Sequence, residues 1–217
     1  MLTLLLLLPI AAWDASGLDV PAARLFGTAQ GFFWSQHPAF VWLLHKTPRA
    51  IGWVFLLALA WGVWQPWGFL RALSKAERGE LLLSIVLALL AVVALKRFSL
   101  TSCPWDLVEF GGTARYVSHW CWGITDGGAG HCFPAGHASA GFSFVAGWFV
   151  LRRKLPLVAL RWLWAALAAG CVLGLVQQIR GAHYVSHTLW TAWICWFVGW
   201  GVENSKCIWR YVLLKTS

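Results

Sequence analysis

The sequence predicts an all-α integral membrane protein: a bundle of six transmembrane helices, with further helices lying in the outer interface. Three observations predict it. Hydrophobic residues make up 59% of the 217 and charged residues only 12%, whereas a soluble domain is about one quarter charged. The 18 tryptophans are of a type that collects where membrane meets water. The apolar residues come in runs near the ~20 that cross a bilayer, separated by short basic clusters. No linker, repeat or low-complexity stretch divides the chain, so residues 1–217 read as a single membrane domain. A net charge of +9 can signal nucleic acid. Bases set between apolar runs match positive-inside topology instead, and the sequence holds no nucleic-acid motif.

The first run, "MLTLLLLLPIAAWDASG", has an apolar core, no basic leader, and a stop at Asp14. It reads as a short first span rather than a signal peptide. Residues 15–49 are broken by Pro21, Pro38 and Pro48. Neither "VPAARLFGTAQGFF" nor "PAFVWLLH" is long enough to span, so both are expected to form helices in the outer interface. Spans follow at 51–64, 81–95, 134–151, 157–179 and about 186–202, with a long polar, Gly-rich loop over 98–132.

Basic residues set the direction. Arg71, Lys75 and Arg78, then Arg152, Arg153, Lys154 and Arg161, then Lys206, Arg210 and Lys215 all fall on one side if the chain crosses at each run. By the positive-inside rule that side is the cytoplasm. The 98–132 loop and the 180–186 turn are then outside. Lys96, His137, Arg180, His183 and His187 all arrive at the outer ends of spans, at one depth.

Ionisable groups are costly there, so each needs a reason. Lys96 and Arg97 could simply snorkel to the headgroups. In "CFPAGHASAGF" (132–142), Pro134 suits a helix start. The small residues Ala135 and Gly136 leave backbone N–H groups open to a phosphate; the bland reading is a helix-packing face. In "RGAHYVSH" (180–187), His183 and His187 share a helix face and Arg180 carries a fork suited to oxyanions. That group could also be polar glue between helices or, through its histidine pair, a metal site. Carboxylates are scarce nearby: Asp106, Glu109 and Asp126 lie in the loop. Of the loop cysteines Cys103, Cys121 and Cys132, a pair can form in an oxidising compartment. Cys121 with Cys132 is the expected pair, against free thiols.

With these blocks in order, the chain resembles the type 2 phosphatidic acid phosphatase (PAP2) superfamily over about 80–205. That family's pattern is KxxxxxxRP, PSGH and SRxxxxxHxxxD. "KRFSLTSCP" (96–104) matches at Lys96 and Pro104, with Cys103 for Arg. "PAGH" (134–137) matches with Ala135 for Ser, and "VQQIRGAHYVSH" (176–187) with Gln177 for Arg and His187 for Asp. Arg180, one helical turn after Gln177, is placed to deliver its guanidinium nearby, and Arg97 to cover for position 103. Asp106 or Glu109 is a candidate for the missing carboxylate.

The resemblance implies a PAP2-like catalytic core in a bacterial inner membrane, its site facing the periplasm. It implies a metal-independent phosphatase with no cofactor. His183 would attack phosphorus and His137 would protonate the leaving oxygen, with His187 orienting the nucleophile. Lys96, Arg97, Arg180 and the amides of Ala135 and Gly136 would hold the phosphate oxygens. The substrate expected is a membrane lipid carrying phosphate or diphosphate: an isoprenyl diphosphate, phosphatidylglycerol phosphate, phosphatidate or lipid A phosphate. The alternatives are lipid-to-lipid phosphotransfer on the same site, a non-catalytic lipid-phosphate binder, and a metal enzyme built on His137, His183 and His187.

Overall fold

The computed structural model describes the backbone of residues 2–216, and their side chains except those of His45 and residues 206–216. Seven helices are named here: α1 (Leu2–Ser16), α2 (Asp19–Ala23), α3 (Thr47–Gly62), α4 (Lys75–Phe98), α5 (Ser139–Leu151), α6 (Pro156–Ile179) and α7 (Val185–Thr216). A small antiparallel hairpin, β1 (Gly27–Thr28) with β2 (Gly31–Phe32), follows α2.

Each long helix begins for a local reason. Ser74 and Glu77 close a capping box at the start of α4, with the Ser74 amide on Glu77 Oε2 at 2.7 Å, so two otherwise orphaned donors are satisfied. Pro156 opens α6, where its missing N–H costs nothing. The start of α7 is capped from a distance: the Ser186 amide donates to Asp19 Oδ1 at 3.0 Å and the Ser186 hydroxyl to Oδ2. The short N-terminal helices are thereby tied to the last one.

The core sits where α4, α5 and α7 meet. Leu81, Ile85, Ala88 and Val92 repeat at helical spacing on the inner stripe of α4 and are buried, facing Phe142 and Val145 of α5 and Ile194 and Cys195 of α7. Small residues set the approach of α5 to α6. A Cβ on Gly141 would lie 2.3 Å from the Gly170 amide nitrogen, so these backbones meet only because both positions are glycine. The outer faces are the reverse: Leu83, Leu90 and Val93 of α4 and Leu157, Trp164 and Val172 of α6 are exposed. Two helices, α4 and α6, are long and apolar enough to cross a membrane, and α1 and α5 are apolar but shorter. Of the six crossings expected, length and composition support two among the described residues, which leave out the side chains of 206–216 in α7.

Several expectations are corrected. "PAFVWLLH" is not a separate interfacial helix: Pro38–Phe40, a π-helical turn Val41–Lys46 and α3 run on without a break. Pro48 directly follows the π-helical turn, where the Thr47 amide already reaches back five residues to the Trp42 carbonyl, so its missing N–H falls where the helical ladder changes register. "VPAARLFGTAQGFF" is a helical end followed by the hairpin, not a helix. The span expected over 134–151 has its helix, α5, start at Ser139 rather than 134.

At one end of the bundle the bases meet carboxylates. Arg152 reaches Glu203 at 2.6 Å, Arg153 reaches Glu80 at 3.1 Å, and Lys154 reaches Glu77 at 2.8 Å. The start of α4, the end of α5 and the middle of α7 therefore share one end. Lys206, Arg210 and Lys215, assigned to the same side, lie outside the described side chains. Lys96, the turn before α5, and the α6–α7 turn lie at the opposite end.

Candidate functional site

Four elements deliver the site residues. Lys96 stands in the last turn of α4, and its stem runs against Gly136. His137 precedes α5, His183 lies in the α6–α7 turn, and His187 lies in the first turns of α7. His183 and His187 are 5% and 2% exposed, their rings 5.8 Å apart. Burial first, then the positive charge of Lys96 and the neighbouring His187 and His137, hold the His183 imidazole well below its ordinary pKa. It is a neutral imidazole at pH 7, the form that carries a lone pair to donate.

Backbone zippering explains how the loop reaches this cluster. The amides of His131 and Cys132 donate to the carbonyls of Ser99 and Thr101 at 2.8 and 3.0 Å. That pairing sets Cys103 beside Cys132, and the two form a disulfide. The expected partner, Cys121, is instead a free, exposed thiol. The disulfide packs on the site, with His183 Nδ1 3.6 Å from Cys132 Sγ. A disulfide sulfur has no proton to give, so this neighbour favours the tautomer with the proton on Nδ1 and the lone pair on Nε2. Thiols tied up in this way do not form a metal site with His183.

The small-residue turn is partly committed. The Ala135 amide donates to Thr191 Oγ1 at 2.9 Å, and the Thr191 hydroxyl donates to the His187 carbonyl at 2.7 Å. This ties the turn to α7 and occupies an amide expected to face phosphate. Among the described residues the amides of Gly136 and Ala138 have no hydrogen-bond partner. Ser139 Oγ donates to the Gly136 carbonyl at 2.6 Å, which fixes the turn.

Arg180 caps α6. Its Nη2 and Nε donate to the Ser35 carbonyl at 3.0 and 3.2 Å and Nη1 to Gln177 Oε1 at 3.0 Å, and the guanidinium lies over Trp105. Its head thus does come to the end of the Gln177 side chain, but it also ties down the 33–37 segment. Arg97 is exposed, and no described contact joins it to the histidines. Asp106 and Glu109 do not reach the site. Asp106 accepts from the Cys103 amide at 3.1 Å, and Glu109 pairs with the exposed Arg24. Asp126 is likewise spent inside the loop, accepting from the Ser102 hydroxyl at 2.8 Å.

Two residues at the site were not singled out from the sequence. His119, from the 98–132 loop, stacks flat on Phe133 at 4.2 Å, its ring 5.5 Å from that of His187. Asp14, from α1, lies 3.6 Å from His119 Nε2. Nothing local in the sequence marks either one.

A family model, that of the PAP2 superfamily, matches residues 79–210. That is more than half of the chain, and it contains every residue of the cluster except Asp14. The chain belongs to the PAP2 superfamily. PAP2 proteins are in general phosphatases, and membership supports a phosphatase-type function here. Comparison with curated proteins and with solved structures finds no match.

Proposed function

We propose that this PAP2 protein is a metal-independent lipid phosphate or diphosphate phosphatase working through a phosphohistidine. The observation that carries the reading is the convergence of Lys96 and His137, both half-buried, with the buried His183 and His187 from four elements onto one spot, where Lys96 makes no ion pair among the described residues. A cation without a carboxylate partner, beside a neutral imidazole, suits an incoming anion.

In this reading His183 Nε2 attacks phosphorus and the bond to the leaving oxygen breaks, with His137 giving that oxygen its proton. Lys96, Arg180 and the Gly136 amide hold the equatorial oxygens as charge builds on them. Water then attacks the phosphohistidine, passing its proton back to His137, and phosphate leaves. Arg97 is left to meet the headgroup from the exposed side. The exposed apolar faces of α3, α4 and α6 suit a bilayer. With the paired bases at the opposite end taken as cytoplasmic, the site faces the periplasm of a bacterial inner membrane. A site at that interface receives a phosphate carried on a membrane lipid.

The test is turnover of phosphatidate, phosphatidylglycerol phosphate, an isoprenyl diphosphate and a lipid A phosphate in detergent micelles. His183→Ala is expected to lower turnover by about 10⁴-fold or more, and a chelator to leave the wild type unchanged. Turnover that survives His183→Ala would remove the assigned nucleophile.

A further inference from the structure

Position 187 carries a carboxylate in the family's pattern and a histidine here. A histidine can orient its neighbour, but it brings no fixed negative charge to offset the positive charge that builds on an attacking imidazole. Most nearby carboxylates are committed elsewhere: Asp19 to Ser186, Asp106 to the Cys103 amide, Glu109 to Arg24 and Asp126 to Ser102.

Asp14 differs. Its Oδ2 accepts from Trp190 Nε1 at 2.7 Å and Trp120 Nε1 at 3.0 Å and lies 3.6 Å from His119 Nε2, an ion-pair distance rather than a hydrogen bond, and that nitrogen is buried with no hydrogen-bond partner among the described residues. Its Oδ1 is buried and has no hydrogen-bond partner among the described residues. The His119 side chain is 5% exposed and clamped flat on Phe133, the neighbour of the bridged Cys132. Across from it, His187 Nδ1 is also buried and without a partner among the described residues. Asp14, His119, His187 and His183 thus form a row only in the sense of successive neighbours, with ring separations of 5.5 Å and 5.8 Å between the imidazoles. Burial lowers the His119 pKa while Asp14 and Asp19 pull it back up, so the pair is electrically coupled as well as adjacent.

We propose that Asp14 and His119 together replace the aspartate absent at 187, positioning His187 and supplying the negative charge that balances His183 during attack. This rests on the reading of His183 as nucleophile. Neither Asp14 nor His119 touches phosphate. They are positioning residues acting through His187, and no proton has to travel along the row. The device is long-range in sequence: a carboxylate from α1 and an imidazole from the loop serve a helix at the other end of the chain.

A double-mutant cycle tests it, run on whichever of the four lipid substrates the wild type turns over. Asp14→Asn and His119→Gln are each expected to lower kcat about tenfold with KM unchanged. Joined in one chain they are expected to do no more than the worse of the two, because residues acting as a unit are not additive. Independent, additive losses, or losses confined to KM, would overturn the proposal. A second background keeps the test open if Asp14→Asn fails to fold: with His187→Asp restoring a carboxylate, His119→Gln is expected to cost less than twofold. An undiminished tenfold cost there marks His119 as merely structural and overturns the proposal too. Failure of the underlying reading looks different, since it is seen in the wild type and in His183→Ala with Asp14 and His119 intact.

Discussion

The two ends of the bundle treat charge in opposite ways. At one end Arg152, Arg153 and Lys154 each find a carboxylate on another helix, and the most buried of these carboxylates, Glu80 with Arg153, is only 3% exposed. At the other end Lys96 stands among three histidines and makes no ion pair among the described residues, while the carboxylates around it are turned to amides, hydroxyls and indoles. Neutralised charge fastens helices. Positive charge left unneutralised in a buried place is costly to hold, and that cost is useful only if an anion arrives to meet it.

The sharpest way to break this contrast is to delete one cation from each end. Lys96→Met is expected to lower kcat by about 10²- to 10³-fold, the usual cost of one transition-state donor, while the melting temperature holds or rises. Arg153→Met is expected to do the reverse. If Lys96→Met cost stability and left turnover alone, Lys96 would belong with the structural cations. The disulfide belongs to the same contrast, because at the site end it crosslinks the loop directly beside His183. Cys103→Ser opens a crosslink with a sequence separation of 29 and is expected to cost about 3 kcal/mol in denaturant unfolding, with the same loss on adding dithiothreitol to the wild type. Glu80→Gln, at the paired end, is expected to cost about 1–2 kcal/mol and leave turnover within twofold.

How much of this was legible in the sequence follows the same division. The meeting of Lys96, His137, His183 and His187 at one end was readable, because alternating apolar runs and the sign of their loops fix which ends lie together. The direction of pairing inside the 98–132 loop was not. Cys103 and Cys121 are both within reach of Cys132 by spacing, and only the backbone pairing of 99–101 with 131–132 decides between them. The start of α5 was misplaced because Pro134, Ala135 and Gly136 suit a helix start equally well as a turn, and the choice falls to Thr191, which takes the Ala135 amide. Pro48 misleads in the other direction, since a proline that looks like a break is accommodated where a π-helical turn shifts the ladder. His119 and Asp14 had no sequence signal at all. Asp14 reads as the polar stop of an apolar run, and its capture by the indoles of Trp120 and Trp190 is a tertiary fact.

The smallest expected effect is a pH dependence confined to the site end. The folded state holds the His183 imidazole below its unfolded pKa, chiefly through burial and then through Lys96 and the neighbouring histidines. The unfolded chain therefore binds a proton near the ordinary histidine pKa of about 6.5 that the folded chain refuses. Stability from this group is complete above that pH and is lost as pH falls below it, with a limiting slope of about 1.4 kcal/mol per pH unit for one proton. Between pH 7 and 6 the loss is under about 1 kcal/mol, and it grows toward pH 5. His183→Gln removes one titrating imidazole, with His119 still held low by burial, and is expected to make that part of the curve shallower, whereas Glu80→Gln lowers the curve without changing its shape there. Denaturant melts of the three proteins at pH 7, 6 and 5 decide it. An unchanged slope in His183→Gln would mean that the acid sensitivity lies elsewhere, and that the buried imidazole is not held neutral against its surroundings.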